Sequence, residues 1–93
     1  MQVIWLRTAL SNLDDVAAYI AEDNPLAASQ VVQTIITQIN QLSLQPAMGR
    51  PGRVLGTREL VIINTHYLVP YRIKNNRVEI LRVFHTSLRL PGK

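Results

Sequence analysis

Pro70 to Pro91 reads PYRIKNNRVEILRVFHTSLRLP. Two runs rich in Val, Ile, Leu and Tyr flank Asn75-Asn76, and asparagine tolerates the left-handed backbone that a two-residue hairpin turn demands, so the stretch is expected to fold back on itself as two strands. A turn at that place sets the register. Arg72 then faces Glu79, Tyr71 faces Ile80, Val69 faces Arg82, Tyr67 faces Phe84, and His66 faces His85. Strict alternation puts Arg72, Glu79, Leu68, Leu81, Val83 and both histidines on one side, and Tyr67, Tyr71, Ile73, Val78, Ile80, Arg82 and Phe84 on the other. Both sides are substantially apolar, which leaves open the side that the rest of the chain covers. Pro70 cannot donate to the ladder and so marks a bulge or an edge, beyond which the alternation can reverse. The Arg72–Glu79 pair is expected to be a cross-strand ion pair contributing about 0.2–1 kcal/mol.

Working outward from the hairpin, Glu59 to Ile63 forms a further strand-like run, set off by Asn64-Thr65. Before it, QPAMGRPGRVLG (residues 45–56) is the longest irregular stretch, with prolines where a phosphate-cradling loop needs free amides and without the Gly-Lys-Ser/Thr ending of such a loop. Gln2 to Arg7 carries the apolar run VIWL, read as a buried strand. Thr8 is the expected N-cap of a first helix, with Leu10, Leu13, Ala17 and Ile20 at helical spacing and Asp14 and Asp15 turned to solvent. Asn24-Pro25 ends that helix, because the residue before proline is pushed out of the helical region, and proline suits the first turn of the next. The second helix runs on an apolar seam of Ala28, Val32, Ile35, Ile39 and Leu42. Its outer face is polar but uncharged, from Ser29 and Gln30 through Gln33, Thr34, Thr37 and Gln38.

The resulting order is βααβββ. It predicts an α+β domain spanning residues 1–93, in which a helical hairpin packs on a twisted, mainly antiparallel four-stranded sheet. A chain of 93 residues is near the lower limit for a single apolar core, and its 47% hydrophobic content suits that task. With no cysteine and two histidines, neither a disulfide framework nor a thiolate metal site is available, and no metal or cofactor is expected. Nothing in the chain approaches the roughly 20 apolar residues of a membrane span or the layout of an export signal, so a soluble cytoplasmic protein is expected. The charge is segregated. Up to Gly49 the only basic residue is Arg7, against Asp14, Asp15, Glu22 and Asp23; from Arg50 onward, nine basic residues face Glu59 and Glu79. Such a split predicts a positive face that attracts an anionic or acidic partner.

The element order, the LDDVAAYIAEDNP helix break, the QPAMGRPGRVLGTREL loop entering a strand, and the closing YRIKNNRVEILRVFHTSLRLP together resemble the ParE/RelE superfamily of bacterial toxins. The likeness runs from Val3 to about Pro91, and MGRPGR, TREL and VEILRVFH are more similar to the ParE branch than to the RelE branch. It implies the toxin half of a type II toxin–antitoxin system, bound as a hetero-oligomer by a cognate antitoxin that is ParD-like or similar. In the ParE branch the implied target is DNA gyrase, engaged by binding without catalysis. For that reading the target-contacting residues are Arg82, His85, Arg89 and Lys93, and the antitoxin-contacting residues are Gln33, Thr37, Arg53, Arg58 and Arg72. In the RelE branch the target is messenger RNA on the ribosome. A metal-independent ribonuclease must move protons and neutralise a developing phosphorane, which would assign proton transfer to His85 and charge stabilisation to Arg82 and Arg58. Simple alternation puts Arg82 and His85 on opposite faces, and the lysine-rich loop and C-terminal tyrosine of RelE have no counterpart here.

Overall fold

The structure is a computed structural model describing residues 1–87. Its elements run β1 (Gln2–Trp5), α1 (Arg7–Ala21), α2 (Pro25–Asn40), a short 3-10 turn (Gln41–Ser43), β2 (Arg50–Pro51), β3 (Arg58–Val61), β4 (Tyr67–Lys74), β5 (Arg77–Ile80) and β6 (Phe84–His85). The sheet order is β1-β5-β4-β3-β2, with β6 continuing beside β4. All pairings are antiparallel except that of β1 with β5, which is parallel. The expected α+β architecture is therefore present, with two changes. A two-residue strand, β2, arises inside the irregular stretch, and the last expected strand is split into β5 and β6.

The split has a local cause. Asn75 and Asn76 both take positive φ, 53° and 60°, as the two-residue turn requires, and Arg72↔Glu79 and Tyr71↔Ile80 pair as expected. At Pro70 the ladder slips, because the Pro70 carbonyl accepts from both Leu81 N (2.9 Å) and Arg82 N (3.4 Å), so two residues oppose one. Beyond this bulge Tyr67 pairs with His85 and Leu68 with Phe84, in place of the expected Tyr67–Phe84 and His66–His85 partners. Asn12 of α1 stabilises the displaced segment by accepting from Val83 N at 3.1 Å. Alternation thus reverses: Val83 and His85 join Tyr67, Val69, Tyr71, Val78 and Ile80 on one face, and Arg82 turns the other way.

That face is the one the helices cover. Ala9, Val16, Ile35, Ile39 and Leu42 pack with Leu60, Ile62, Tyr67, Val69, Tyr71, Val78, Ile80 and Val83 in one cluster. The α2 seam is largely as expected, although Val32 is only half-buried. In α1 the buried stripe is Ala9, Leu13, Val16 and Ile20, whereas Leu10 is 49% exposed. Thr8 is not the N-cap. Leu6 precedes the helix while its amide still donates to Ile80 O (3.1 Å), so β1 passes into α1 without a loop, and the strand fixes the helix phase. At the α1–α2 break, Asn24 caps α2 by accepting from Ala27 N at 3.1 Å, with Pro25 in the first turn.

Candidate functional site

Two polar surfaces frame the core. On the sheet face away from the helices, the β4–β5 register places Arg72, Lys74 and Arg77 together, and Arg82 joins them after the bulge. Glu79, 9% exposed, sits among them and accepts from Arg72 Nε at 2.6 Å. This hydrogen bond, with added attraction from Lys74 and Arg77, holds the Glu79 carboxyl below its ordinary 4.5 against the opposing effect of burial. A depressed folded-state pKa contributes stability above the ordinary value, and that contribution is lost as pH falls through the folded value. Arg72→Met should weaken the dependence, so urea midpoints taken between about pH 6 and about pH 3 should fall less steeply for the variant than for the parent. Equal slopes would show that the pair is not coupled to folding.

At the other end of this face, Glu59 is 5% exposed and organises the β2–β3 turn. It accepts from Arg50 Nη2 (3.4 Å) and from the Arg53 amide (3.2 Å), with Arg53 Nε at 3.8 Å. Arg58 lies on the opposite face and donates to the carbonyls of Gly49 (2.8 Å) and Ala47 (3.3 Å). The same loop is pinned by Tyr71, fully buried, whose Oη donates to Pro46 O (2.6 Å) and accepts from Gly49 N (2.9 Å). Glycine is required at 49: a Cβ there would stand 2.8 Å from the Glu59 carbonyl and 2.7 Å from the Tyr71 ring. Burial pushes the Tyr71 phenol above its ordinary value, while the Gly49 hydrogen bond and Arg58 pull it back.

The outer side of α2 forms a shallow concavity lined by Gln30, Gln33, Thr34, Thr37 and Gln38. Gln33 Nε2 donates to Thr37 Oγ1 (3.2 Å), and Gln38 clamps the Ile63 backbone, donating to its carbonyl (3.0 Å) and accepting from its amide (2.8 Å). His85 stands elsewhere, half-buried at the α1 side. Its ring meets Tyr67 edge-on at 5.4 Å and lies 5.5 Å from His66, and its Nδ1 accepts from Ser87 N (3.1 Å) with Ser87 Oγ at 2.7 Å.

The candidate residues are therefore dispersed. Arg72 and Arg82 share the helix-free face. Arg53 lies beside Glu59, and Gln33 and Thr37 lie on α2. Arg58 pairs across β4 with Tyr71, and His85 with Tyr67, four residues away and on the other side of that strand. At about 3.3 Å per residue and about 4.8 Å per strand, their backbones are roughly 16 Å apart. Arg89 and Lys93 fall outside the described residues. Sequence reading did not single out Glu59 as the hub of the β2–β3 turn. It also passed over Asn12 and Tyr19 and took Asp15 for a solvent-facing residue only, although the i, i+3, i+7 spacing of the three marks a second stripe on α1.

A helical hairpin on one side of a small mixed sheet, with a basic opposite face and an uncharged outer surface on α2, defines an α+β domain. The sequence pattern of the family described as "ParE toxin of type II toxin-antitoxin system, parDE" matches residues 3–89, and the chain belongs to this family of toxins. Among its relatives, Y4kP of Sinorhizobium fredii is 46% identical over 90 residues, covering 97% of this chain and 93% of that protein. Toxin RelE2 of Caulobacter vibrioides is 31% identical over 86 residues, covering 92% and 96% respectively. Among solved structures, the chromosomal ParDE toxin–antitoxin system of P. aeruginosa superposes with a TM-score of 0.82 at 31% identity, covering 91% of this chain and 95% of that one. The RelBE2 toxin–antitoxin complex of Mycobacterium tuberculosis gives 0.61 at 29% identity, with 90% and 95% coverage.

Proposed function

We propose that this toxin arrests growth by binding DNA gyrase, and that a cognate antitoxin holds it inactive. The observation that supports binding over catalysis is the separation of His85 from Arg58, whose guanidinium is already engaged by the Gly49 and Ala47 carbonyls. A metal-independent ribonuclease needs its acid–base group and its cations around one phosphate. Here they serve different parts of the fold, while Arg72, Lys74, Arg77 and Arg82 gather on an open face suited to an acidic protein surface. The match to the ParE family and the likeness to the ParDE system point the same way.

For the antitoxin, the uncharged α2 concavity beside the basic half of the chain favours an amphipathic acidic segment, laid along Gln33 and Thr37 and reaching Arg53, Arg58 and Arg72. Purified toxin should inhibit supercoiling by gyrase and leave messenger RNA intact. The opposite pair of results would replace this reading with a ribonuclease. Truncation after Ser87 removes Arg89 and Lys93 but none of the described core, so the shortened protein should fold, retain its antitoxin and lose most of its gyrase inhibition. Undiminished inhibition by that protein would take the tail out of the contact.

A further inference from the structure

The second stripe of α1 faces the sheet across a groove of about 430 Å³. Asn12, Asp15 and Tyr19 form one wall; Tyr67, Phe84 and His85 form the other. Three properties define what fits there. First, the walls are aromatic, and Tyr19, at 71% exposure, presents a ring with no core role. Second, Tyr67 is only 7% exposed, yet its hydroxyl has no hydrogen-bond partner among the described residues. Tyr67 is itself one of the residues that line the groove. Burial and the neighbouring Tyr19 both raise its pKa, which keeps it a neutral phenol able to accept a hydrogen bond. Third, among the described residues the only carboxylate that lines the groove is that of Asp15, on the acidic half of an otherwise basic protein.

Candidate occupants separate on these grounds. A nucleotide would bring its phosphate against Asp15 and neighbouring Asp14. A leucine or phenylalanine side chain would cover Asp15 and the Tyr67 hydroxyl without pairing either. An arginine satisfies all three properties. Its planar guanidinium stacks on aromatic faces, is attracted by their π-electrons, and has five donors for the carboxylate and the phenol oxygen. We propose that the groove between α1 and the β6 end of the sheet accepts an arginine side chain presented by a protein partner. The inference goes beyond the gyrase reading, since the groove lies on the helix side and the basic face on the other.

The test titrates isotope-labelled full-length toxin with N-acetyl-arginine amide and follows amide and ring signals of Tyr19, His85 and Ser87. Those signals should shift in a saturable way. N-acetyl-citrulline amide, with the same shape and no charge, should bind about tenfold more weakly, because it loses the charge-assisted hydrogen bonds. Asp15→Asn and Tyr19→Ala, both at exposed positions, should each weaken the arginine probe at least severalfold without moving the melting temperature. Equal binding of citrulline, preference for N-acetyl-phenylalanine amide or uridine monophosphate, or absence of any shift in folded protein would each overturn the proposal.

Discussion

Tyr71→Ala is expected to cost the fold about half of its stability. The side chain is fully buried at the centre of β4, and truncating a large aromatic in a core costs about 3–5 kcal/mol. A chain of this length has of order 10 kcal/mol in total. The variant also strands the Gly49 amide and the Pro46 carbonyl, the two groups through which the ring holds the loop before β2. Tyr71→Phe separates the contributions: packing stays, the two hydrogen bonds go, and the loss should be about 1–3 kcal/mol. Urea unfolding followed by circular dichroism measures both. A phenylalanine variant as stable as the parent would mean that the hydroxyl does not pin the loop.

His85→Ala gives the widest separation between rival mechanisms. Were the histidine a proton-transfer group, its loss would lower the rate by about 10²–10⁴-fold and abolish growth arrest while leaving antitoxin capture intact. Acting by contact, the protein loses the edge-on packing against Tyr67 and the acceptor for Ser87 N, and keeps its basic face. Growth arrest by the folded variant is therefore the expected result, with supercoiling still inhibited. A folded but harmless His85→Ala protein, together with RNA cleavage by the parent, would transfer the assignment to the ribonuclease class.

Local chemistry made much of this fold readable. Asn75-Asn76 dictated a turn and with it the Arg72–Glu79 pair, and Asn24-Pro25 dictated the end of one helix and the first turn of the next. What depends on distant partners was less legible. Pro70 announced a slip in the ladder but not its direction, which is settled by Asn12 reaching Val83 from α1. Leu10 looked like core by its spacing, but the phase of α1 is set by Leu6 bonding to Ile80 at the far end of the chain. The strand Arg50–Pro51 has no periodicity to detect, being two residues held by pairing to Glu59 and Arg58. The same limit applies to the candidate sites. Charge segregation predicted a positive face, yet the burial of Glu59 and the aromatic walls beside Asp15 emerge only once helix and sheet are assembled.

The parallel pairing of β1 with β5 joins Gln2 to Arg77 and Trp5 to Ile80, so a strand made early waits for one made more than 70 residues later. Until residues 77–80 leave the ribosome, β1 lacks its partner and α1 lacks the anchor that fixes its phase. Contacts this distant in sequence are slow to form, because the intervening loop must close before they are rewarded. The nascent chain thus has no completed sheet until residues 77–80 have emerged. That delay gives an antitoxin a kinetic opening, in which a partner already present can meet the toxin as it folds.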